Sequence, residues 1–346
     1  MNFGVRHGDA NLPSVTVDAY NAELRDHEGF IGDRASKRAF MSLLDDIRDR
    51  LGDHGADPLG EKPTEQLRKS KLDSLLRDGD AEVAGVIHSA VEDFAQEFAA
   101  VLRRFLKLPE WQDTARIVVG GGMSDSRVGE LAVGRAQVLL RTDNHDMELR
   151  PIRHDPDEAG LLGGAHLAPA WVFDAHDSIL AMDIGGTNAR SGLVLLNQKR
   201  APDLSKAEVV DLQHWRHADD QPDRDEAVER LIEMLQALIK RAGKEGHDLA
   251  PFIALGCPGL IAEDGRIERG GQNLPGNWEH ADFNLPDRLL EAIPKIGGHN
   301  THIVMHNDAV VQGLSEIPFN QDVDRWGVMT IGTGLGNARF TNRRPG

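Results

Sequence analysis

The sequence predicts a mixed α/β protein built from two lobes. Its 346 residues exceed the usual size of one domain, and apolar residues make up 40% of them, enough for substantial cores. Helical periodicity prevails over residues 35–140, whereas residues 179–331 alternate short apolar strands with helices. Strands in hairpins that are followed by crossover helices are typical of layered α/β folds.

Apolar spacing predicts the individual elements. Residues 1–34 should be mainly loop, residues 168–178 a connector between the lobes, and Asp80 to Leu106 one long helix that ends before Pro109. Other helices are expected at 35–51, 63–77, 128–140, 224–243 and 309–316. Strands are expected at 117–119, 179–184, 191–196, 208–212, 252–255, 302–306 and 327–331.

Charge and cysteine content narrow the class of protein. The formal net charge is −17, with 56 acidic and 39 basic residues, so the surface should repel nucleic acid and anionic membranes. Cys257 is the only cysteine, which excludes an intramolecular disulfide framework and a thiolate zinc cluster. The start of the chain has no apolar run typical of a signal peptide, and no stretch is long enough to span a membrane. We therefore expect a cytoplasmic protein.

The first chemical signal is a glycine-rich turn between two predicted strands. Glycines allow positive φ and remove Cβ atoms, so backbone N–H groups can approach a polyanion closely. Asp183 follows an apolar strand and could hold a metal ion through water. An ordinary Asp/Gly hairpin turn is an equally good interpretation of this segment alone. The candidate binding residues are Asp183, Gly185, Gly186, Thr187, Asn188 and Arg190.

A second glycine-rich turn follows the apolar strand that ends at Ile331. It resembles the first in its small residues, hydroxyl donors and bare backbone, so the two turns could grip one polyphosphate. A tight turn is again the plainer interpretation, because a short glycine motif is weak evidence. The candidate residues are Gly332, Thr333, Gly334 and Gly336.

Two further segments carry polar side chains. Asp308 stands where a predicted strand meets a helix, the edge at which α/β proteins commonly place ligand groups. Asn307 and Asp308 could equally cap that helix, and the two roles are compatible. A rigid bend at 256–259 is followed by the loop 273–278, which offers amides and a Trp ring to a polyol or is a surface loop with its Trp packed inward.

Together the motifs resemble the sugar-kinase family ROK (repressor, open reading frame, kinase), a branch of the actin-like ATPase superfamily. Five motifs occur in the family's order: Asp-x-Gly-Gly-Thr, Gly-x-Pro-Gly, Asn-Leu-x-Gly-x-Trp, Asn-Asp-Ala and Gly-Thr-Gly-x-Gly, across residues 183–336. The resemblance implies a two-lobed actin-like ATPase (ribonuclease H-like) fold with an interlobe cleft.

The resemblance also implies a circular permutation. A member of the family should continue far beyond Gly336, yet the segments similar to its late part, 117–124 and 159–167, come first. Residues 1–167, completed by about 326–346, are thus expected to form the larger lobe, 168–178 the connector and 179–325 the smaller lobe. A fusion of two partial kinases is the alternative, which the complementary halves disfavour.

The family's chemistry then gives each motif an expected role. Asp308 would be the general base, ATP and Mg²⁺ the cofactors, and Gly120, Gly121 and Gly122 the border of the adenosine. The glycine-rich turns would hold the phosphates, with Mg²⁺ on Asp183 through water. The sugar would be held by Asn307, Asp308, Asn273, Gly276, Asn277 and Glu28.

Some features depart from the family or stay open. The family's zinc site, one His and three Cys, has no counterpart, and its Glu-x-x-His sugar element would fall near 341–346 and 1–30, where only His27 and Glu28 offer a partial match. The family favours a hexose, glucose before fructose, mannose or an N-acetylhexosamine. Polyphosphate as donor, a homodimer, and a catalytically silent regulator or scaffold of the same fold stay open.

Overall fold

The chain folds into two compact units, each assembled from separate stretches of sequence. The computed structural model describes residues 5–52 and 57–343. Of these, unit 1 comprises residues 5–21, 157–324 and 338–343, and unit 2 comprises the residues between them, 22–156 and 325–337. The lobes expected at 1–167 and 179–325, with their interlobe cleft and connector, remain a prediction about how the chain corresponds to the family.

The strands are mostly short. In chain order they are β1 (Val15–Tyr20), β2 (Arg25–Asp26), β3 (Gly29–Phe30), β4 (Arg116–Gly120), β5 (Glu148–Pro151), β6 (Ser178–Ile184), β7 (Ala189–Leu195), β8 (Glu208–Trp215), β9 (Leu249–Cys257), β10 (Leu260–Ile261), β11 (Ile267–Arg269), β12 (Lys295–Ile296), β13 (His299–Asn300), β14 (His302–Asn307), β15 (Arg325–Ile331) and β16 (Leu335–Asn342).

The helices include two long amphipathic ones, α3 and α8. In chain order the helices are α1 (Lys37–Gly52), α2 (Lys69–Asp78), α3 (Ala81–Phe105), α4 (Arg127–Thr142), α5 (Pro156–Gly164), α6 (Ala170–Ala175), α7 (His217–Asp220), α8 (Arg224–Glu245), α9 (Leu285–Ala292) and α10 (Asp308–Leu314). Asp80 caps the start of α3 by accepting from two backbone amides, and Asp223 forms a capping box with Glu226 at the start of α8.

Unit 1 is organised around one sheet whose strand order is β8-β7-β6-β9-β14. The pairs β6–β7 and β7–β8 are antiparallel, whereas β9 is parallel to both β6 and β14. If β6, β7, β8, β9 and β14 are numbered 1 to 5 in chain order, their order across the sheet is 3-2-1-4-5. Strands 1, 2 and 3 are antiparallel to their neighbours in turn, and strands 4 and 5 are parallel to strand 1. This is the arrangement of the ribonuclease H-like fold of the actin-like ATPases, so the predicted fold class is confirmed for this unit.

Each unit has its own apolar core. In unit 1, β6 and β9 pack against α8 through buried residues such as Leu180, Leu235 and Ile253. In unit 2, the parallel strands β15, β4 and β5 pack against α1, α3 and α4, with Phe94 and Phe98 fully buried. In the chain direction, β6, β9 and β14 all end at one edge of the unit 1 sheet, and this edge carries the polar residues described below.

The predicted helices and strands are present, but β5, β16 and α9 were not predicted, and two segments differ from their expected structure. The connector 168–178 contains the helix α6, whose Val172 is fully buried, so this segment is not merely extended chain. Residues 1–34, expected to be mainly loop, contain the six-residue strand β1, in which Val15 and Val17 are buried. β1 pairs antiparallel with residues 338–342, a partner too distant in sequence for local patterns to indicate.

Candidate functional site

Three neighbouring strand ends of unit 1 bring the predicted acidic residues together. The register places Asp183 on β6 beside Gly256 on β9, and Cys257 beside Asn307 on β14. A Cβ built on Gly256 would lie 3.0 Å from Asp183 Oδ1 and 3.6 Å from the Cα of Asp308. Gly256 thus lies between the two carboxyl-bearing residues, and its missing side chain leaves the space next to Asp183 open.

Asp183 is an almost completely buried carboxyl group. It is 3% exposed, and among the described residues its Oδ1 has no hydrogen-bond partner. Burial raises the pKa of Asp183 to about 6, while the Arg190 guanidinium, 3.9 Å from Oδ2, opposes that shift. Helix α5 also packs closely against this carboxylate, because a Cβ on Gly160 would lie 2.5 Å from the Cγ of Asp183. A buried carboxylate oxygen without a partner is the kind of group that an ion or water satisfies.

Asp308 is the first residue of α10 and keeps part of its surface exposed. Burial of the carboxyl group, with the charge of Asp183 as the next cause, raises the pKa of Asp308 to about 7. A carboxyl group that loses its proton near neutrality is suited to accept one during a reaction. The Cys257 thiol lies nearby, and burial together with both carboxylates raises its pKa well above the usual range, so it stays a neutral thiol.

Asn307 caps α10 instead of facing open space. Its side chain is 2% exposed, its Oδ1 accepts from the amides of Ala309 and Val310, and its Nδ2 donates to the carbonyl of Gly259 at 3.0 Å. The helix-capping role considered from the sequence is therefore present. Whether Asn307 also contacts a sugar stays a prediction.

The loop 273–278 holds its aromatic ring inside and its amides outside. Trp278 is 1% exposed and donates to the carbonyl of Pro275, so the inward-packed interpretation of this residue is confirmed. Asn273 is exposed, and its Cβ lies 2.8 Å from the position of a Cβ on Gly186. Gly276 and Asn277 are exposed too, beside Arg224 at the start of α8. The structure thus brings Asn273 directly against the first glycine-rich turn.

In that first turn, between β6 and β7, three carbonyl groups already accept hydrogen bonds. His217 bonds to the carbonyl of Gly185 at 2.9 Å, the amide of Ala218 donates to that of Thr187, and the amide of Gly185 donates to that of Asn188. Carbonyl oxygens would otherwise repel an anion, so their occupation favours anion binding at this turn. Arg190 follows the turn and pairs with Asp157 at 2.6 Å.

The second glycine-rich turn, between β15 and β16, has the same property. The carbonyl of Gly332 accepts from the amide of Lys37, that of Thr333 from Arg38, and that of Gly334 from the amide of Gly332. Lys37 and Arg38 begin α1 and are exposed, and the Arg38 guanidinium brings a positive charge to this turn. Gly336 is the second residue of β16.

Gly120, Gly121 and Gly122 lie next to the second turn within unit 2. Gly120 ends β4 and is in register with Thr330 of the neighbouring parallel strand β15. Gly121 has a φ of +87°, and a Cβ there would lie 2.5 Å from the carbonyl oxygen of Ile331. Only glycine fits both constraints. A Cβ on Gly122 would meet nothing within 4 Å, so this position borders open space.

Solved structures resemble part of the chain. A ROK family glucokinase from Streptomyces griseus, determined in complex with glucose and AMPPNP, is 20% identical over 49% of this chain and 47% of that one, with a TM-score of 0.36. A ROK hexokinase from Thermus thermophilus is 23% identical over 48% of each chain, with a TM-score of 0.35. The resemblance is to ROK sugar kinases. It spans about half the length of each of those proteins, while no family model and no curated protein matches the chain.

The ROK features that the sequence lacks have no clear substitute in the described residues. Glu28 lies in the turn between β2 and β3 of unit 2, with its side chain 63% exposed and paired with Arg34 at 2.8 Å. His27 is 3.6 Å from the same carboxylate. The Glu-x-x-His element expected near 341–346 and 1–30 falls partly on residues 1–4 and 344–346, which lie outside the described residues. The role of Glu28 in sugar binding stays a prediction.

Metal and membrane features are limited in the described chain. Over residues 5–52 and 57–343, no group of three or more His, Cys, Asp or Glu side chains has the arrangement of a metal site. Asp183 and Asp308 are two carboxyl groups, and Mg²⁺ in nucleotide sites commonly takes only one or two carboxylates besides phosphate oxygens and water. No helix in the same residues is long and apolar enough to cross a bilayer.

Several residues at the site were not predicted from the sequence. Gln312 on α10 is one of the groups that oppose the raised pKa of Asp183, and it stands four residues after Asp308, so helical spacing could have revealed it. Arg38 could have been noticed as a cation at a helix start, but its proximity to Thr333 depends on tertiary structure. His306, fully buried between Asn307 and the backbone of Asp9, had no signal in the sequence beyond its position in a strand.

Proposed function

We propose that the protein is an ATP-dependent sugar kinase in which Asp308 acts as the general base. The observation that carries this proposal is the row of strand ends in unit 1, where Gly256 leaves space between Asp183 and Asp308. A proton acceptor beside a second carboxylate at the carboxyl edge of an α/β sheet suits transfer of a phosphoryl group to a hydroxyl. The motifs that resemble ROK kinases support the same reading.

The residues present fit a nucleotide and a divalent cation. The orphaned Oδ1 of Asp183 would hold Mg²⁺ through water. Backbone amides of the first glycine-rich turn would bind phosphate oxygens. The resemblance to ROK kinases assigns the same role to the second turn, where Arg38 is an added cation. Gly120, Gly121 and Gly122 would border the adenosine. Bound Mg·ATP would supply the phosphoryl group and neutralise the charge that develops during transfer.

The chain's own groups would then position the acceptor and take its proton. Asp308, with its pKa raised to about 7 by burial, accepts the proton of a sugar hydroxyl as that oxygen attacks. Asn307 holds the first turn of α10, and thereby the backbone of Asp308, in place. Asn273 and Asn277 offer exposed amides to the other hydroxyl groups. Most of the catalysis would come from positioning and charge neutralisation.

Asp308→Asn tests the proposed base. The amide cannot accept the proton, so turnover is expected to fall by about 10²–10⁴-fold, whereas ATP affinity should stay near that of the wild-type protein. Coupled detection of ADP and calorimetric titration of ATP would measure the two quantities. Asp282→Asn is the matched control, because the Asp282 side chain is 91% exposed and lies 3.7 Å from the imidazole of His280. Near-normal sugar phosphorylation by Asp308→Asn would refute the assignment.

A panel of sugars and phosphoryl donors would identify the acceptor and the donor. Glucose, fructose, mannose and an N-acetylhexosamine, each with ATP and Mg²⁺ or with polyphosphate, would be compared for product formation, and glucose is expected to be the best acceptor. Intact ATP binding with no product from any sugar would instead favour the catalytically silent regulator or scaffold.

A further inference from the structure

The residue that precedes the Asn307–Asp308 pair is a fully buried histidine. His306 is 0% exposed and lies on β14, the edge strand of the unit 1 sheet. Its Nδ1 accepts from the backbone amide of Asn307 at 2.8 Å, and its Nε2 lies 3.2 Å from the carbonyl oxygen of Asp9. Because a carbonyl can only accept, Nε2 carries the proton and both ring nitrogens are bonded.

The carbonyl on His306 belongs to a segment from the start of the chain. Residues 7–9, called the strap here, run beside β14: the amide of Met305 donates to Nδ1 of His7 at 3.0 Å, and the amide of Gly8 donates to the carbonyl of Met305 at 2.9 Å. Gly8 has a φ of +60°, and a Cβ there would overlap the carbonyl oxygen of Ile261. The strap therefore lies in one defined position against the strand.

The ring of His306 is confined from the side as well. Tyr20 meets it edge to face, with 5.1 Å between the ring centroids, and the Tyr20 hydroxyl is held by the backbone of Ile261. Burial lowers the pKa of His306 to about 4, so the ring stays neutral near pH 7 and Nδ1 keeps its lone pair for the Asn307 amide.

A continuous chain of hydrogen bonds thus reaches the turn that carries Asp308. It runs from the carbonyl of Asp9 through the imidazole of His306 to the backbone of Asn307, whose side chain fixes the amides of Ala309 and Val310. The backbone of Asp308 is fixed on both sides by this chain. We propose that His306 is a positioning residue for Asp308, held in place by the strap. This inference rests on the proposed kinase function.

Two conservative variants separate positioning from simple packing. In His306→Asn the side-chain oxygen can replace Nδ1 as acceptor for the Asn307 amide, whereas the bond to Asp9 is lost. In His306→Gln the side-chain amide can replace Nε2 as donor to Asp9, whereas the Asn307 amide loses its acceptor. If positioning is the role, kcat should stay within about threefold of wild type in the first variant and fall by about tenfold or more in the second, since a displacement near 1 Å can cost about 100-fold.

KM for ATP and the thermal midpoint are read in parallel. Both variants should lose some thermal stability, since both replace a buried ring, but KM for ATP should stay unchanged in both. His299→Asn and His299→Gln are the matched controls, because that imidazole is exposed on β13. Gly8→Ala is a second probe, since it displaces the strap without altering the ring, and its kcat should also fall at unchanged KM for ATP.

The outcomes are distinguishable. Equal kcat in His306→Asn and His306→Gln, or a kcat that merely follows the thermal midpoint, would overturn the positioning role while leaving the kinase function intact. A wild-type kcat in Gly8→Ala would overturn the part played by the strap. A wild-type protein that phosphorylates no sugar would overturn the proposed function and this inference together.

Discussion

At the scale of single residues, the site places two carboxyl groups where neither ionises easily. Asp183 lacks a partner on one oxygen, and its charge is a cause of the raised pKa of Asp308. Neither group is paired as a surface carboxylate would be, and Arg190 is shared with Asp157. Carboxyl groups held in this way cost folding free energy at neutral pH, which is common at functional sites.

This cost predicts how stability depends on pH. The pKa of Asp308 rises from its ordinary value of 3.8 to about 7 in the folded protein, so between these values the folded state binds more protons than the unfolded state. The free energy of unfolding therefore falls as the pH rises through that window. Asp308→Asn removes the contribution, so the variant should gain stability relative to wild type on going from pH 4.5 to pH 8, by on the order of 2–4 kcal/mol at about 1.4 kcal/mol per unit.

Urea unfolding of wild type and Asp308→Asn at both pH values would measure this difference. Asp282→Asn, at an exposed carboxyl group, should show little change between the two pH values. If the wild-type and Asp308→Asn curves stayed parallel, the carboxyl group of Asp308 would not be buried as described.

The sequence indicated which residues carry the candidate chemistry, but it left open how buried each of them is and which groups it contacts. Motif order and strand ends were enough to select Asp183 and Asp308. They left open whether Asn307 caps the helix or faces a ligand, and whether the Trp278 ring packs inward; the structure shows the cap and the buried ring. Burial and hydrogen bonding arise from tertiary contacts, which local composition does not determine.

At the scale of elements, helix α5 has glycines where it packs closely against β6, β9 and α10. A Cβ on Gly163 would overlap the carbonyl oxygen of Val311 on α10, and one on Gly164 would lie 2.8 Å from Ala254 on β9. Together with Gly160 against Asp183, these glycines let α5 approach the strands and helix that carry the site. The small residues noticed at 159–167 thus have a physical role in packing.

Gly163→Ala should therefore destabilise the protein. Overpacking of this kind costs about 1–3 kcal/mol, whereas Gly243→Ala on α8, where a Cβ would meet nothing within 4 Å, should stabilise by up to about 1 kcal/mol because alanine favours helix. The midpoints of urea unfolding would measure both changes. Equal shifts in the two variants would contradict the close contact between α5 and α10.

Elements with local signals were predicted well, and those with remote partners were not. The periodicity of α1, α3 and α8 and the apolar runs of β6 and β9 were sufficient to place them. β1 was missed, because its six residues pair with residues 338–342 rather than with a neighbour in sequence. Helix α6 was missed because a six-residue helix is too short to show a period.

At the scale of the whole molecule, the order of segments supports the proposed permutation. β1 and the end of β16 are antiparallel neighbours, with Val15 opposite Asn342, and the amide of Arg343 donates to the carbonyl of Ser14. Antiparallel neighbours are usually joined by a short hairpin, but here no short loop joins them. A chain in which residue 346 ran directly into residue 1 would join the two strands through 18 residues, 343–346 and 1–14, a connection longer than a tight hairpin but local in sequence.

A rearranged chain tests this idea. Residue 346 would be joined to residue 1, and the chain opened between Ala175, the last residue of α6, and His176, both of which are at least partly exposed. We expect cooperative thermal unfolding and the circular dichroism of the original chain, since opening at such sites is tolerated. The same joining with an opening between Ala254 and Leu255, inside buried β9, should not fold. Failure of the first chain to fold would argue against the permutation.

The pairing of β1 with β16 also has a consequence for synthesis of the protein. The partner of Val15 leaves the ribosome roughly 330 residues later, which at about 5–20 residues per second is a delay of about 15–65 s. Throughout that interval the backbone N–H and C=O groups of β1 lack the strand with which they pair in the folded protein. Nascent chains should therefore depend on chaperones until residues 338–342 have left the ribosome, and synonymous codons that slow elongation would lengthen this period.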